Sequence, residues 1–226
     1  MTLAAAKMTP KAFLFDLDGT LVDTETAWAL AMVDLVVSRG GRATLKDVLG
    51  QVVGHSWLDI HAWLHEAYPC LGDASAMQDA IALRGFYQKH AGNPRDMRIE
   101  SSIRFFHRAA EIAPCAIVSG SPHDDVVTAA AFCGVAEQTA LILGAGEYEK
   151  GKPSPSGYLK AAELLGVRPA DCVVIEDSTV GVASGVAAGM NVIALDRSTT
   201  VEQQFEGERW RVKSLDEFDL AKEFGA

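Results

Sequence analysis

Two pairs of carboxylates, each directly after a short apolar run, are the residues of this 226-residue sequence best suited to chemistry: Asp16 and Asp18, and Glu176 and Asp177. A carboxylate can attack phosphorus to form an acyl phosphate, and a second carboxyl group can protonate the leaving oxygen and later activate water. Asp16 and Asp18 are two residues apart, so a turn at Gly19 can aim both at one substrate. The spacing therefore favours phosphoryl transfer with Asp16 and Asp18 as the catalytic pair.

Candidate phosphate-binding groups lie elsewhere in the chain. Ser119 and Gly120 follow the apolar residues 115–118, and Lys152 lies in a Gly-Lys-Pro segment. A lysine supplies a point charge to a transferring phosphoryl group, while a hydroxyl group and neighbouring backbone N–H groups supply hydrogen bonds. These residues are therefore candidates for holding the phosphoryl group.

Carboxylates placed close together repel one another, and their proton affinities rise unless a cation compensates. Mg²⁺ suits such a site because it prefers oxygen ligands and few carboxylates. The four carboxylates and Lys152 sum to a formal charge of about −3, which Mg²⁺ reduces to about −1. We therefore expect Mg²⁺ as a cofactor, with one carboxyl group kept protonated as a general acid.

Each segment on its own has a simpler interpretation. Residues 16–19 are typical of a turn, and Ser119 is typical of a loop before a helix. Lys152 alone is typical of a solvated surface lysine, and Glu176 with Asp177 is typical of a helix start. Their occurrence together, after successive apolar runs, is what favours a common site.

Apolar runs that alternate with helical patterns predict an α/β fold with a parallel sheet. The runs that predict strands are residues 11–15, 115–118, 140–143, 172–175 and 191–195. The helical patterns between them cover residues 123–133, 156–165 and 179–188, each followed by Gly. Because functional groups gather at the carboxyl ends of parallel strands, we expect the candidate residues to meet at one edge of the sheet.

The segment from residue 24 to residue 96 differs, since it has helical patterns but no convincing strand. The patterns cover residues 28–37, 58–67 and 74–90. An insert of this length directly after the first strand indicates a second unit. We therefore expect an α/β core domain formed by residues 1–23 and 97–226, and a helical cap domain formed by residues 24–96.

Composition excludes several other classes of protein. The net charge is −10 and no basic stripe reverses it, so nucleic acid is not an expected partner. No apolar run reaches about 18 residues, and the N-terminus lacks a secretory signal pattern, so no membrane association is expected. The four cysteines show neither pairing nor metal-type spacing, which favours a reducing, cytoplasmic location.

The motifs together resemble those of the haloacid dehalogenase (HAD) superfamily of phosphotransferases. The segments that carry the resemblance are residues 16–23, 117–119, 152–153 and 175–182, the last continuing to 187–190. The resemblance covers nearly the whole chain, and the first motif is highly specific. It implies a Rossmann-like core with a small inserted all-helical cap, similar to the beta-phosphoglucomutase-like subfamily, which closes over a small phosphorylated metabolite.

The resemblance also implies a role for each candidate residue. Asp16 would be the nucleophile, and Asp18 would be the general acid and base. The residues expected to bind the phosphoryl group are Ser119, Gly120 and Lys152. The residues expected to hold Mg²⁺ are Asp16, Asp18 through its backbone carbonyl, Asp177, and Glu176 either directly or through another ligand.

Departures from the family pattern concern one loop, the hinge and the cap. Ser156 stands where the family often has Asp, and we expect it to be peripheral. Residues 98–101 replace a common Pro-Gly pair before the core's second helix, which predicts an unusual hinge. Trp28 and Trp57 stand where the sugar-phosphate mutase has a histidine and an arginine. Both tryptophans favour a plain hydrolase over a mutase.

Trp28, His55 and Trp57 have two interpretations. The favoured one places the tryptophans in the core of the cap and makes His55 a hydrogen-bond donor in a loop. The other makes the three residues the wall of an aromatic-lined substrate pocket.

We expect a phosphatase acting on a small phosphate monoester, such as a sugar phosphate, a polyol phosphate or a nucleotide-like molecule. Three alternatives stay open: a phosphotransferase or mutase, a metal-independent 2-haloacid dehalogenase that does not need Asp18, and a non-enzymatic receiver-like module that accepts a phosphoryl group as a signal. A phosphonatase is less favoured because the cap offers only Lys46 and Lys89, neither in a suggestive context.

Overall fold

A parallel sheet forms the centre of the molecule, whose structure is a computed structural model describing residues 8–92, 94–197 and 203–225. The strands of these residues are β1 (Ala12–Phe15), β2 (Cys115–Val118), β3 (Thr139–Leu143), β4 (Cys172–Glu176), β5 (Asn191–Leu195) and β6 (Trp210–Val212). Their order is β3-β2-β1-β4-β5-β6, and every neighbouring pair is parallel. The predicted α/β fold with a parallel sheet is confirmed.

Helices connect the strands. Between β1 and β2 lie α1 (Glu25–Ser38), α2 (Leu45–Val52), α3 (Trp57–Ala67), α4 (Ala76–His90) and α5 (Glu100–Ala110). After β2 lie α6 (His123–Cys133), α7 (Ser156–Leu165), α8 (Thr179–Ala187) and α9 (Leu220–Phe224). Gly134 and Gly166 end α6 and α7 in the left-handed conformation, which glycine adopts without steric cost.

The central strands are apolar on both faces because helices cover both sides of the sheet. In β1, Phe13 and Phe15 pack on one face, where both make edge-on contacts with Phe105 of α5. Leu14 packs on the opposite face, in the same cluster as Tyr158 of α7. All of these side chains are fully buried, so the sheet is a rigid platform for the residues at its end.

The carboxyl ends of the three central strands lie level with one another. Phe15 of β1 pairs with Ile117 of β2 and with Ile175 of β4. Asp16 and Glu176 are the residues that directly follow Phe15 and Ile175. The register therefore brings both carboxylates to the same edge of the sheet.

Helices α1 to α4 form a cap with an apolar core of its own, in which α1 packs along α4. Its fully buried side chains include Leu35, Val48, Leu64 and Leu83. Ala29 and Val36 of α1 and Leu83 of α4 belong to the same buried cluster. An inserted helical cap is therefore present, as predicted.

The chain enters and leaves the cap through two adjacent segments. Val22 forms an antiparallel bridge with Arg98. The Asp23 N–H group donates to Met97 O at 2.7 Å, and the Ile99 N–H group donates to Leu21 O at 3.0 Å. These hydrogen bonds tie the two connections together next to the end of β1.

The sequence patterns do not predict α2, α5, β6 or α9, and they begin α1 at residue 28 instead of Glu25. Helix α5 starts at the segment interpreted as an unusual hinge, and no side chain caps its first turn. Strand β6 is a three-residue edge strand, too short for a clear pattern.

No helix within the described residues is long and apolar enough to cross a membrane. Residues 1–7 belong to the segment in which no secretory signal is expected, and they lie outside the described residues.

Candidate active site

Asp16 lies at the end of β1 and is held by Lys152 from the loop before α7. The Asp16 N–H group donates to Ile175 O of β4 at 3.0 Å, which fixes the residue between two strands. Lys152 Nζ donates to Asp16 Oδ1 and lies 2.5 Å from Glu176 Oε1. All three charged side chains are more than nine-tenths buried. Lys152 therefore bridges the carboxylates that follow β1 and end β4.

Glu176 is surrounded by hydrogen-bond donors. Tyr158 OH donates to Glu176 Oε1 at 2.7 Å, and both Ser178 Oγ and the Asp177 N–H group donate to Oε2 at 3.2 Å. A Cβ atom on Gly181 would lie 2.0 Å from this carboxyl group, so α8 approaches it closely because residue 181 has no side chain. Few lone pairs of Glu176 are left for another ligand.

Asp18 accepts hydrogen bonds from three hydroxyl groups. Thr24 Oγ donates to Asp18 Oδ1 at 2.6 Å, and Ser121 Oγ donates to Oδ2 at 2.8 Å. Ser119 Oγ donates to the same oxygen over a longer distance of 3.4 Å. These contacts hold the carboxyl group in one orientation, which a group that transfers protons to a bound substrate requires.

Asp177 faces the turn that follows Asp18. Thr20 Oγ donates to Asp177 Oδ1 at 3.3 Å. Gly19 has φ +86°, and a Cβ atom there would lie 2.0 Å from Asp177 Oδ2. Glycine is therefore needed both for the left-handed turn and for the close approach of the turn to the carboxylate.

The loop that carries Lys152 is closed by Ser156, the first residue of α7. Ser156 Oγ donates to Lys150 O at 2.7 Å and accepts from the Lys150 N–H group at 3.0 Å. Ser184 Oγ of α8 donates to Ser154 O of the same loop at 2.7 Å. Ser156 therefore supports the position of Lys152, contrary to the expectation that it is peripheral.

Burial raises the pKa of Asp16 and of Asp177 well above the usual range of an aspartate. Lys152 lowers both pKa values, but neighbouring carboxylates, including Glu176, raise them again. Burial lowers the pKa of Lys152, yet Asp16 and Glu176 reverse that effect and leave this pKa well above its usual value. The site therefore holds a charged lysine and more negative charge than it can carry without a further cation.

Glu25, in the first turn of α1, is another buried carboxyl group beside this cluster. Its Oε1 atom has no hydrogen-bond partner among the described residues. Burial raises the pKa of Glu25 to about 8, with Asp18 as the next cause. Arg197 lowers this pKa, and it also donates to Asp23 Oδ2 at 2.9 Å. The acidic cluster thus extends from the strand ends into the cap.

The residues at the strand ends fit a bound Mg²⁺ ion. Asp16, Glu176 and Asp177 each offer a carboxylate oxygen, and these oxygens lie within 4.8 Å of one another. A buried set of oxygen donors with excess negative charge is what a hard divalent cation prefers. Because Glu176 is engaged by Lys152 and Tyr158, Asp16 and Asp177 are the side chains best placed to hold the ion.

A cavity of about 570 Å³ opens above these groups, and residues of both the core and the cap line it. Its core wall includes Asp16, Asp18 and Lys152, and its cap wall includes Trp28 and Trp57. The space is large enough for a small metabolite whose phosphate lies against Asp16.

The cap loop at residues 53–56 lies directly on the core beside this cavity. A Cβ atom on Gly54 would lie 2.4 Å from Ser178 Oγ, and one on Gly120 would lie 3.2 Å from Ser56 Cα. The cap and the core are therefore in close contact at this edge of the site.

Residues 10–189 match a protein-family model described as haloacid dehalogenase-like hydrolase. The chain belongs to this family. Hexitol phosphatase A of Escherichia coli (strain K12) is 34% identical over 202 residues, which are 82% of this chain and 83% of that protein. This family assignment and its phosphatase relative confirm the prediction of a hydrolase that acts on phosphate esters.

Solved structures show the same HAD fold. A HAD family hydrolase from Deinococcus radiodurans R1, with bound phosphate and sodium, has a TM-score of 0.68 and 26% identity, over 95% of this chain and 96% of that chain. A beta-phosphoglucomutase from Clostridium difficile has a TM-score of 0.76 and 19% identity, over 96% of this chain and 97% of that chain. The predicted resemblance to the HAD superfamily and its beta-phosphoglucomutase-like members is therefore confirmed.

Within this HAD fold, four of the predicted site residues line the cavity: Asp16, Asp18, Gly120 and Lys152. Ser119 does not line it, since the residue is fully buried and its Oγ atom accepts from the Ser121 N–H group at 3.0 Å. Ser121 lines the cavity in its place. The Ser-Gly-Ser sequence is compatible with either serine facing the substrate. Only the conformation of the turn after β2 shows that Ser121 faces the cavity and Ser119 does not.

Five other residues of the site were not singled out from the HAD motifs: Thr24, Glu25, Ser121, Tyr158 and Arg197. Their contacts with the acidic cluster depend on the packing of α1, α7, the turn after β2 and the chain after β5 against the strand ends. Local sequence carries no signal for these contacts, except that Thr24 and Glu25 stand close to the first motif.

Trp28, His55 and Trp57 all line the cavity, so the pocket interpretation describes their position correctly. The favoured interpretation is incomplete rather than wrong, because both tryptophans also pack against the cap core. Trp28 stacks on Tyr87 at 4.2 Å between ring centres, and His55 Nδ1 is 3.0 Å from Val53 O. The cap therefore presents an aromatic wall to whatever occupies the cavity.

Proposed function

We propose that this HAD hydrolase is a Mg²⁺-dependent phosphatase that hydrolyses a small phosphate monoester, such as a sugar phosphate, through an aspartyl-phosphate intermediate. The observation that carries the proposal is that Asp16, Asp18 and Lys152 line one cavity, with Asp177 and Glu176 behind them. A nucleophile, a proton-transfer group and a fixed positive charge thus face the same space.

In the first step, an Asp16 carboxylate oxygen attacks phosphorus and forms an acyl phosphate, while the bond from phosphorus to the leaving oxygen breaks. Asp18 gives its proton to that oxygen, so the product leaves as a neutral alcohol. Lys152 stabilises the charge on the phosphoryl oxygens throughout, and Gly120 offers a backbone N–H group beside them. Bound Mg²⁺ would supply further neutralisation of this charge.

In the second step, the Asp18 carboxylate takes a proton from water as the water oxygen attacks phosphorus. The bond from Asp16 to phosphorus breaks, which releases phosphate and restores the Asp16 carboxylate and the protonated Asp18. The hydroxyl groups of Thr24 and Ser121 hold Asp18 in place for both steps. Both residues can rotate their hydroxyl groups as the carboxyl group gains and loses its proton.

Several observations support a small, non-polymeric substrate. The cavity is about 570 Å³ and is closed on one side by the cap loop. The E. coli relative is a hexitol phosphatase, which makes a sugar or polyol phosphate the first class to test. We propose that residues 24–96 act as the cap that selects it, with the core formed by residues 1–23 and 97–226. The cysteines among the described residues are all free thiols, which supports the expected cytoplasmic location.

Transfer to water is favoured over transfer back to a sugar. The two cap positions where the sugar-phosphate mutase is expected to have a histidine and an arginine are Trp28 and Trp57, and both line the cavity. Neither indole can pair bidentately with a second phosphate group as an arginine does. Arg84 of α4 also lines the cavity, but it is paired with Asp125 at 3.3 Å. The two tryptophans therefore favour hydrolysis over transfer back to a sugar.

The test is phosphate release from a panel of sugar, polyol and nucleoside phosphates with Mg²⁺, compared with the same panel in EDTA. Asp16→Asn should lower kcat/KM by at least about 10³-fold, as expected for loss of a nucleophile. Asp73→Asn, which changes an exposed cap carboxylate, is the matched control and should leave kcat/KM unchanged. Activity that persists in EDTA, or halide release from a 2-haloacid, would refute the proposal.

A further inference from the structure

A second cluster of ligand-type side chains lies in the cap, away from the strand ends. His61 and His65 stand one turn apart on α3, and Asp79 faces them from the first turn of α4. One ligand atom of each side chain, a ring nitrogen of each histidine and a carboxylate oxygen of Asp79, lies within 4.8 Å of the other two. None of the three residues lines the cavity of the candidate active site.

The separations within the cluster lie on either side of those in a metal site. His65 Nε2 is 2.7 Å from Asp79 Oδ2, a hydrogen-bond distance, and His61 Nε2 is 3.5 Å from the same oxygen. Two ligands of a tetrahedral zinc ion, each about 2.0–2.1 Å from the metal, are about 3.3 Å apart. Small side-chain rotations would therefore bring all three atoms to bonding distance of one ion.

The hydrogen bond on the far side of the His65 ring sets the proton position. His65 Nδ1 is 3.0 Å from Gly72 O, and a carbonyl oxygen can only accept, so Nδ1 carries a proton. In a neutral imidazole, Nε2 then carries a lone pair that points at the Asp79 carboxylate. Two acceptors at this distance repel each other unless a proton or a metal ion lies between them. Histidine ligands of metals are commonly oriented by this type of carbonyl contact.

Two buried atoms of the cluster lack a hydrogen-bond partner among the described residues. They are His61 Nε2 and Asp79 Oδ1, although the Asp79 side chain is fully buried. Arg39 NH2 approaches Asp79 Oδ1 only to 3.6 Å, and this arginine side chain is 38% exposed. Buried polar atoms without partners are costly, so their presence here calls for a further ligand.

The two imidazole rings of the cluster lie side by side. The rings of His61 and His65 lie 4.2 Å apart between centres, so both face the same small space beside Asp79. One dication bound by the two imidazoles and the carboxylate would give His61 Nε2 the partner that it lacks among the described residues.

We propose that His61, His65 and Asp79 form a binding site for a transition-metal dication of the Zn²⁺ class. Two imidazole nitrogens and one carboxylate suit Zn²⁺ and disfavour Mg²⁺, which prefers oxygen ligands. The histidine side chains are 18% and 19% exposed, so a water molecule can complete the coordination. The site is separate from the acidic cluster and does not depend on the proposed function.

A metal ion there would join α3 to α4. These helices carry part of the cap wall of the cavity, including Trp57 at the start of α3 and Leu83 on α4. The Trp57 Nε1–H group already donates to Ala76 O at the start of α4, at 3.3 Å. The expected consequence is a more stable cap whose aromatic wall is held more rigidly.

The test is calorimetric titration of Zn²⁺ into the full chain in the presence of saturating Mg²⁺, with the melting temperature measured in parallel. Wild type should bind one Zn²⁺ per chain and melt at a higher temperature. His61→Gln should weaken Zn²⁺ binding by more than about tenfold. Removing a residue that only orients a metal ligand typically lowers metal affinity about 10–100-fold, and removing the ligand itself should lower it at least as much. His90→Gln is the matched control, because His90 pairs with Asp34 at 3.0 Å in the same cap, and no third ligand joins this pair among the described residues.

Further outcomes separate this site from the acidic cluster. Asp177→Asn should leave Zn²⁺ binding unchanged, and Co²⁺ should give the intense visible absorption of a tetrahedral nitrogen-containing site. The Co²⁺ spectrum decides the matter if His61→Gln fails to fold. Equal binding by wild type and folded His61→Gln, loss of binding in Asp177→Asn, or a weak six-coordinate Co²⁺ spectrum would overturn the proposal.

Discussion

Replacing Glu25 by glutamine should make the stability of the metal-free protein less dependent on pH. Glu25 is buried beside Asp18, and burial raises its pKa to about 8. A raised pKa means that the folded state keeps a proton that the unfolded state has already lost. Stability is therefore full below about pH 4.5, the ordinary pKa, and falls as the pH rises towards about 8.

The size of the effect follows from the two pKa values. A change from 4.5 to about 8 corresponds to about 5 kcal/mol of unfolding free energy, at about 1.4 kcal/mol per pKa unit. Of this, about 3.5 kcal/mol lies between pH 5 and pH 8. Asp16 and Asp177 also have raised pKa values, and Glu25 is one of the charges that raise the pKa of Asp177. The difference between wild type and variant therefore measures Glu25 together with its effect on Asp177.

The assay is urea unfolding in EDTA at pH 5 and at pH 8. Between pH 5 and pH 8 the free energy of unfolding of wild type should fall by about 3.5 kcal/mol more than that of Glu25→Gln. At pH 8 the variant should be the more stable protein. Glu66→Gln, at an exposed position of α3, is the control and should behave as wild type. Equal losses in wild type and Glu25→Gln would refute the interpretation of Glu25 as a buried, protonated group.

Other predictions concern the turn after β1, the support of Asp18 and the metal. Gly19→Ala should abolish activity, because its Cβ atom would displace Asp177. Gly40 has a similar φ and open space around it, so Gly40→Ala should cost only backbone strain of about 1–3 kcal/mol. Measurements of kcat and of urea unfolding for both variants check this. Ser121→Ala removes a hydrogen bond to Asp18 worth about 1.5–3 kcal/mol, so kcat should fall at least about tenfold, and an unchanged kcat would contradict its role. Mg²⁺ should raise the melting temperature more at pH 8 than at pH 5, because it competes with protons for Asp16 and Asp177; an equal rise at both pH values would argue against binding there.

Elements that the sequence predicts well are those whose local signals agree with their surroundings. Strands β2 and β5 match the predicted runs residue for residue, because strands covered on both faces are continuously apolar. Helices α6 and α7 also match, because Gly134 and Gly166 mark their ends. Helix α2 also has a local signal, since Thr44 and Asp47 form a capping box at its start.

The sequence predicts only those site residues whose positions follow from the order and pairing of the strands. Asp16 and Glu176 meet because β1 and β4 pair in parallel with level ends, and parallel pairing follows from the strand and helix pattern. Glu25 and Ser121 depend on how α1 and the turn after β2 pack, which no local pattern encodes. The same limit applies to His61 and Asp79, since their contact depends on the packing of two cap helices.

An Asp18→Asn variant should reveal whether Asp16 accepts the phosphoryl group. With p-nitrophenyl phosphate, whose leaving group needs no proton, the first step should proceed while the second is slowed for lack of a base. Rapid mixing with Mg²⁺ should release about one p-nitrophenolate per chain in a burst, and acid-quenched protein should carry an acyl phosphate on the peptide containing Asp16. Full steady turnover by this variant, or a burst with no phosphoryl group on Asp16, would contradict the account.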